Sequence, residues 1–293
     1  MAHLLPQNLF GVQGYTVIIT GAGSGIGRML SKGFSVNGAK TILVDVNEEG
    51  LEKTITESAE AARSVGVEPN ISMVVGDLSS KAGVDSIVSS IRTMAIEVDV
   101  IIHCAAYRHL NPVEYKHDGL STVSDLKTAT ESASWESWDR SFQINVLAPY
   151  FLTAGLIDLL GAATKKGFGR GSVILFSSPA SVHNHQFVPA YQTTKAAVDH
   201  LTRILAAEFS DFYIRVNAMS PGLIPSGMSD PNDPTSNLHL AKDSPARIPG
   251  GEEDMFGTAI WLSSRAGAFM DGKIVRCDGG RLLVLRGVVS NID

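Results

Sequence analysis

Seven short runs of apolar and β-branched residues punctuate the chain: "YTVIIT" (15–20), "KTILVDV" (40–46), "NISMVVG" (70–76), "VDVIIHC" (98–104), "GSVILFS" (171–177), "YIRVNAMS" (213–220) and "GKIVRC" (272–277). Each is apolar at nearly every position rather than at alternate ones, the pattern of a strand covered on both faces. Between the runs apolar residues return at helical intervals, as at Val198, Leu201, Leu205 and Phe209 beyond Pro189, and call for helices. Strands alternating with helices predict an α/β architecture: one domain spanning 1–293, built on a doubly wound, mostly parallel seven-stranded sheet flanked by helices. No repeat, low-complexity run or polar linker divides it.

Two segments break the alternation. Residues 107–134 are polar and follow the fourth strand, while residues 222–250 are rich in proline and follow the sixth. Both leave carboxyl ends of strands, where open α/β sheets bind ligands. The second is expected to be a substrate lid. For the first, a surface loop and a pocket-shaping insertion are equally good readings.

Composition narrows the function. With 44% hydrophobic content over 293 residues, the chain can bury the core that one large domain needs. A formal net charge of -6 and no long basic run give no electrostatic footprint for nucleic acid or an anionic membrane. The start "MAHLLPQNLFGVQG" lacks a charged leader pattern, and no stretch reaches the roughly 18 uninterrupted apolar residues of a membrane helix; a soluble, cytoplasmic protein is expected. Cys104 and Cys277 sit inside apolar runs, away from metal-ligand spacing, so neither a disulfide framework nor a metal site is expected.

Chemistry enters with "GAGSGIGRMLSKGF", where Gly21, Gly23, Gly25 and Gly27 stand between the first strand and a helix. Glycines there let backbone amides and a helix N-terminus approach a pyrophosphate, which makes the sheet Rossmann-type. Asp45 ends the second strand near the distance at which a carboxylate meets the adenosine ribose, and its charge repels a 2′-phosphate. NAD is therefore favoured, with NADP as the alternative through Arg28. Asp77 either contacts the adenine amine or closes a turn. Farther on, "AYQTTKAAV" places Tyr191 and Lys195 four residues apart on one helical face, where a lysine ammonium favours a tyrosinate and makes a proton-transfer pair.

These motifs together resemble the short-chain dehydrogenase/reductase family over nearly the whole chain. Thr20–Gly27 looks like its T-G-x-x-x-G-x-G loop, "AYQTTKAAV" its Y-x-x-x-K helix and "FSSPASV" its serine segment. "SFQINVLAPYF" carries its helix asparagine, "RVNAMSPGLIPSGM" its P-G loop and "GKIVRCDGG" its last strand. The resemblance implies a catalytic set of Asn145, Ser178, Tyr191 and Lys195, with Ser178 thirteen positions before Tyr191 and Ser177 the lesser candidate. It implies cofactor contacts at Gly21, Ser24, Gly25, Ile26, Gly27, Asp45, Asp77 and Ala105. Tyr191, Lys195, Pro221, Gly222, Ile224 and Ser226 would meet the nicotinamide end. Asn145 is expected to hold a relay from Lys195 to solvent through its helix backbone and a water.

The same resemblance implies hydride transfer between a nicotinamide and a secondary alcohol or ketone, on a small, partly apolar substrate, in a homotetramer or homodimer. An enzyme on this scaffold doing redox-neutral chemistry, such as epimerisation, dehydration or cyclisation, is the alternative. It is prompted by the length of 107–134 and by His103-Cys104-Ala105-Ala106, which stands where the family has N-N-A-G. His183, His185, Phe187, Met228 and His239 could face substrate, but solvated loop positions are the better expectation for them.

Overall fold

A computed structural model describes residues 1–113, 122–186, 188–233 and 236–285. All seven expected strands form: β1 (Thr16–Thr20), β2 (Lys40–Asp45), β3 (Asn70–Val75), β4 (Val100–His103), β5 (Ser172–Phe176), β6 (Arg215–Pro221) and β7 (Ile274–Cys277). They make one sheet in the order β3-β2-β1-β4-β5-β6-β7, and every neighbouring pair is parallel. The doubly wound Rossmann-type fold is thus present, parallel throughout rather than mostly so. From β1 the chain winds outward to β3, then returns to place β4 on the other side of β1. That reversal opens a crevice beyond the carboxyl ends of β1 and β4.

The strands are apolar at successive positions because the sheet has a core on each face. Ile18 points into one layer with Ile42, Ile101 and Val173, while Val17 and Ile19 point into the other with Leu43, Val100, Ile102 and Ile174. The first layer is closed by Val84, Ile87 and Ile91 of the helix Lys81–Met94 and by Val198 and Leu205 of the helix Pro189–Phe209. The second is closed by Leu30 and Phe34 of Gly25–Val36 and by Met255 and Leu262 of Glu252–Ser263. Burial of each such side chain stabilises by about 1.5–3 kcal/mol, which offsets the chain entropy lost on folding.

The two interruptions carry local structure. After β4, the described part of 107–134 includes a helix, Val123–Glu131, begun by a reciprocal Thr122–Asp125 capping box. After β6, the 222–250 segment holds a narrow Ser226–Ser229 bridge and the 3-10 helix Asn237–Asp243.

Strand β6 is held in place by a buried arginine at its start. Arg215 Nη1 donates to Gly267 O at 2.9 Å and Met270 O at 3.1 Å, while Nη2 donates to Gly169 O at 3.0 Å and Leu262 O at 2.8 Å. Each carbonyl left buried without its donor costs about 1–3 kcal/mol. Arg215→Met is expected to lower the urea midpoint by the equivalent of about 3 kcal/mol or more; an unchanged midpoint would show that the four carbonyls find other donors.

Candidate active site

The exit of β5 and the helix after it assemble the chemical end. β5 stops at Phe176, and the chain turns through Ser177 and Ser178 into the 3-10 turn Pro179–Ser181, which Ser178 caps by accepting from Ala180 N at 3.2 Å. The helix Pro189–Phe209, started by a proline in its first turn, carries Tyr191 and Lys195 back across this exit. Lys195 is 2% exposed; its Nζ donates to Phe176 O at 2.6 Å and lies 5.4 Å from the centre of the Tyr191 ring. Ser178 is a hydrogen-bond partner of the Tyr191 phenol. Half-buried Ser178 and Tyr191 and buried Lys195 therefore meet at one strand exit.

Burial also sets the protonation states. Burial pushes the Lys195 ammonium down to about 8 and the Tyr191 phenol above its ordinary value, opposed by the Ser178 hydrogen bond and the Arg108 charge. The sequence pointed to Lys195 as the cation that favours the tyrosinate. At about 8 Lys195 still keeps its proton at neutral pH, and the charge of Arg108 also acts on the phenol. Cys104 lies close enough to feel both Lys195 and Asp45, and burial pushes its thiol up to about 12, which keeps it from acting as a nucleophile. Next to it, His103 hydrogen-bonds the Thr153 hydroxyl at 2.8 Å and is pushed by burial down to about 3; it is a neutral core residue.

Asn145 is 2% exposed and stands in a π-helical turn, Gln143–Leu147, inside an otherwise α-helical run. Such turns are rare and frequent at functional sites. Its amide accepts from Tyr107 N at 2.8 Å, donates to Tyr107 O at 2.9 Å and donates to Thr194 Oγ1 at 3.0 Å. Thr194 in turn donates to Tyr191 O at 2.8 Å. The side chain thus ties the exit of β4 to the Tyr191 helix, a task distinct from the backbone relay that the resemblance implies.

At the opposite end the glycine loop closes on itself. Gly25 has a left-handed φ of 49°, and a Cβ on Gly27 would lie 2.1 Å from Gly21 O, so neither position accepts a side chain without moving the loop. Gly21 packs against Ala105, whose N–H donates to Thr20 Oγ1 at 3.2 Å. Ser24 is the N-cap of the helix Gly25–Val36 but makes no capping bond with its side chain, and Ile26 is half-buried behind it. Asp45 at the end of β2 accepts from Gly23 N and Asn47 N, both at 2.9 Å. Arg28 turns away from it, donating to Thr54 Oγ1 at 2.9 Å and to Gly23 O, with Glu57 3.8 Å away.

The remaining positions divide. Pro221 ends β6, Gly222 N donates to Cys277 O at 3.0 Å, Ile224 is buried, and Ser226 abuts Gly25, so the P-G loop and the glycine loop meet. Asp77 accepts from both the backbone and the hydroxyl of Ser79, a turn contact that leaves its carboxylate further acceptor capacity. His185 and His239 are exposed as expected; His183 is buried, against expectation, and its carbonyl accepts from Gln192 Nε2 at 2.6 Å. Phe187 lies outside the described residues. Sequence reasoning missed Arg108 and Thr194, although a lone cation just beyond a strand's carboxyl end was a usable signal for the first.

Among the described residues no group of three or more His, Cys, Asp or Glu side chains forms a metal site, and no single helix is long and apolar enough to cross a membrane.

Comparison with known proteins gives concordant matches. The family model described as enoyl-(acyl carrier protein) reductase matches residues 21–281. The short-chain dehydrogenase/reductase PhomF of Diaporthe leptostromiformis is 31% identical over 291 residues, covering 96% of both chains. The NAD-dependent glycerol dehydrogenase of Listeria innocua is 26% identical over 275 residues, covering 92% of this chain and 95% of its own. Among solved structures, the Pseudomonas aeruginosa RhlG/NADP active-site complex superposes with a TM-score of 0.78 at 26% identity, covering 93% of this chain and 98% of that one.

The buried lysine gives a pH test. Its folded value of about 8 lies below the ordinary 10.5, so between these pH values the unfolded chain binds a proton that the folded one does not, and stability contributed at this site rises with pH. The unfolding free energy of wild type minus that of Lys195→Met is expected to increase by about 2 kcal/mol between pH 8 and pH 10. A difference that stays flat across this window would mean that Lys195 titrates normally.

Proposed function

Because the chain belongs to the short-chain dehydrogenase/reductase family, we propose that it is an oxidoreductase interconverting a secondary alcohol and a ketone, with NAD as hydride carrier. The observation that carries this reading is the gathering of Ser178, Tyr191 and Lys195 at one strand exit, in the same crevice as the glycine loop.

The residues at the other end fit a dinucleotide. Gly21, Gly25 and Gly27 leave the space that side chains would fill, Ser24 and Ile26 begin the helix whose free amides suit a pyrophosphate, and Asp45 keeps acceptor capacity beyond the two amides it already binds. The dinucleotide, when bound, supplies or accepts the hydride. Asp45 and exposed Val46 offer nothing to a 2′-phosphate, and Arg28 is engaged by Thr54, Gly23 and Glu57. These contacts favour NAD, the cofactor named for the glycerol dehydrogenase, over the NADP of the RhlG complex.

In this reading Ser178 hydrogen-bonds the substrate oxygen. Tyr191, protonated at neutral pH because burial raises its pKa, gives its phenolic proton to that oxygen in reduction and takes it back in oxidation. Lys195 orients the phenol's surroundings from its seat on Phe176 O and hydrogen-bonds the nicotinamide ribose, and Asn145 fixes the helix that carries both. Ala105 borders the adenine side of the crevice, while Pro221, Gly222, Ile224 and Ser226 border the nicotinamide side. The 222–250 segment serves as the lid of a single catalytic domain and excludes water from the reaction.

Tyr191→Phe is expected to lower kcat on any secondary alcohol that the wild type oxidises by about 100-fold or more, with NADH affinity nearly unchanged; retention of the wild-type rate would refute the assignment. In calorimetry, NADH is expected to bind more tightly than NADPH, and Asp45→Ala to weaken NADH by about tenfold. Equal binding of the two nucleotides by wild type would overturn the NAD preference, and binding of neither would remove the oxidoreductase reading.

A further inference from the structure

The residue that stands nearest to an unassigned role is Arg108. It follows β4 by five positions, at the carboxyl edge of the sheet beside the topological switch. The residue before it is fixed: Tyr107 N and O are both bonded to the Asn145 amide, and the Tyr107 ring carries the Arg140 guanidinium at 4.9 Å. Its guanidinium is steadied from the other side, where Nη2 donates to Met228 O of the 222–250 segment at 2.5 Å. Arg108 therefore bridges the two segments that interrupt the alternation of strands and helices, and its charge reaches the Tyr191 phenol.

A lid latch would need no more than that one hydrogen bond. A guanidinium has five N–H donors in a planar fork that matches a carboxylate, and Met228 O is the one hydrogen-bond partner that Arg108 has among the described residues. No Asp or Glu pairs with it there. A half-buried cation with spare donors, whose charge acts on the Tyr191 phenol and which has no carboxylate partner among the described residues, is suited to meet an anion from outside. The dinucleotide's own phosphates belong to the glycine loop, at the other end of the crevice.

We propose that Arg108 is a specificity-determining residue that binds a carboxylate of the substrate, so that the enzyme's substrates are oxo acids and hydroxy acids rather than neutral alcohols. The inference rests on the oxidoreductase reading for the word substrate, but the carboxylate site itself does not depend on turnover. Closure of the 222–250 segment and recognition of the acid are then one event, since the same guanidinium holds Met228 O and the carboxylate.

The test uses matched pairs of ligands: phenylglyoxylate, 3-oxo-3-phenylpropanoate and 4-oxo-4-phenylbutanoate, each against its methyl ester. Calorimetry measures their binding to the full-length protein with and without NADH, in wild type, Arg108→Met and Arg108→Lys. At least one acid is expected to bind wild type about tenfold more tightly than its ester. Arg108→Met should abolish that preference by weakening the acid about tenfold more than the ester, while Arg108→Lys should keep part of it. Esters that bind wild type as well as the acids overturn the proposal. So does an Arg108→Met protein in which acid and ester weaken together, because the arginine is then a latch. Selective binding of an acid by a wild type that fails to bind NADH would leave the carboxylate site standing and remove the oxidoreductase reading instead.

Discussion

A single buried amide joins the parts of the candidate site that the chain keeps far apart. Asn145 is almost fully buried, and its three hydrogen bonds reach the backbone of Tyr107 in both directions and the hydroxyl of Thr194. A buried amide pays heavily for a missing partner, so the helix bearing Asn145, the exit of β4 and the helix bearing Tyr191 are restricted to the arrangement that satisfies all three. The π turn at Gln143–Leu147 is the local distortion that aims the side chain. Tyr107 could be placed in no other way without stranding a donor and an acceptor, and Arg108 inherits its position from Tyr107.

Around this junction the protein has given up solvation where chemistry needs a low dielectric. Lys195, Tyr191 and Cys104 all shift toward their neutral forms, with burial the largest cause in each case. The consequence differs with residue type. A thiol held near 12 is silent, a phenol kept protonated is a proton donor, and an amine near 8 changes charge in a range the cell can reach. An arginine keeps its charge throughout, so the field at the phenol is set by Arg108 when Lys195 is neutral and by both cations when it is not.

Much of this was legible in the sequence, for a physical reason. Strands covered on both faces must be apolar at successive positions, so β1, β2, β4 and β5 announce themselves. The glycine loop is equally legible, because Gly25 and Gly27 occupy places where a side chain has no room. Less legible were contacts made by backbone atoms or by a single long side chain. Nothing in the spacing indicates that Asn145 grips Tyr107, that Lys195 rests on Phe176 O, or that Arg28 folds back onto Thr54. His183 is buried and its carbonyl is held by Gln192, a contact without a periodicity to betray it. Asp77 shows the same limit: its position suits an adenine contact and a turn alike, and the Ser79 hydrogen bonds show the turn without excluding the adenine.

The placement of charge also explains why the two interruptions belong to one device. Residues 107–134 and 222–250 are remote in sequence and leave different strands, yet they meet where Arg108 donates to Met228 O. A lid held shut by apolar contact alone would close equally well over any ligand of the right size. A lid whose carbonyl shares a guanidinium with the ligand closes more firmly when that ligand is an anion, since a charge-assisted bond is stronger than a neutral one and the fork supports both partners in one plane. Under the proposed carboxylate contact, selectivity and water exclusion are coupled through the same side chain, and Arg108 gives the start of the segment after β4 a role that a tolerated surface loop would lack.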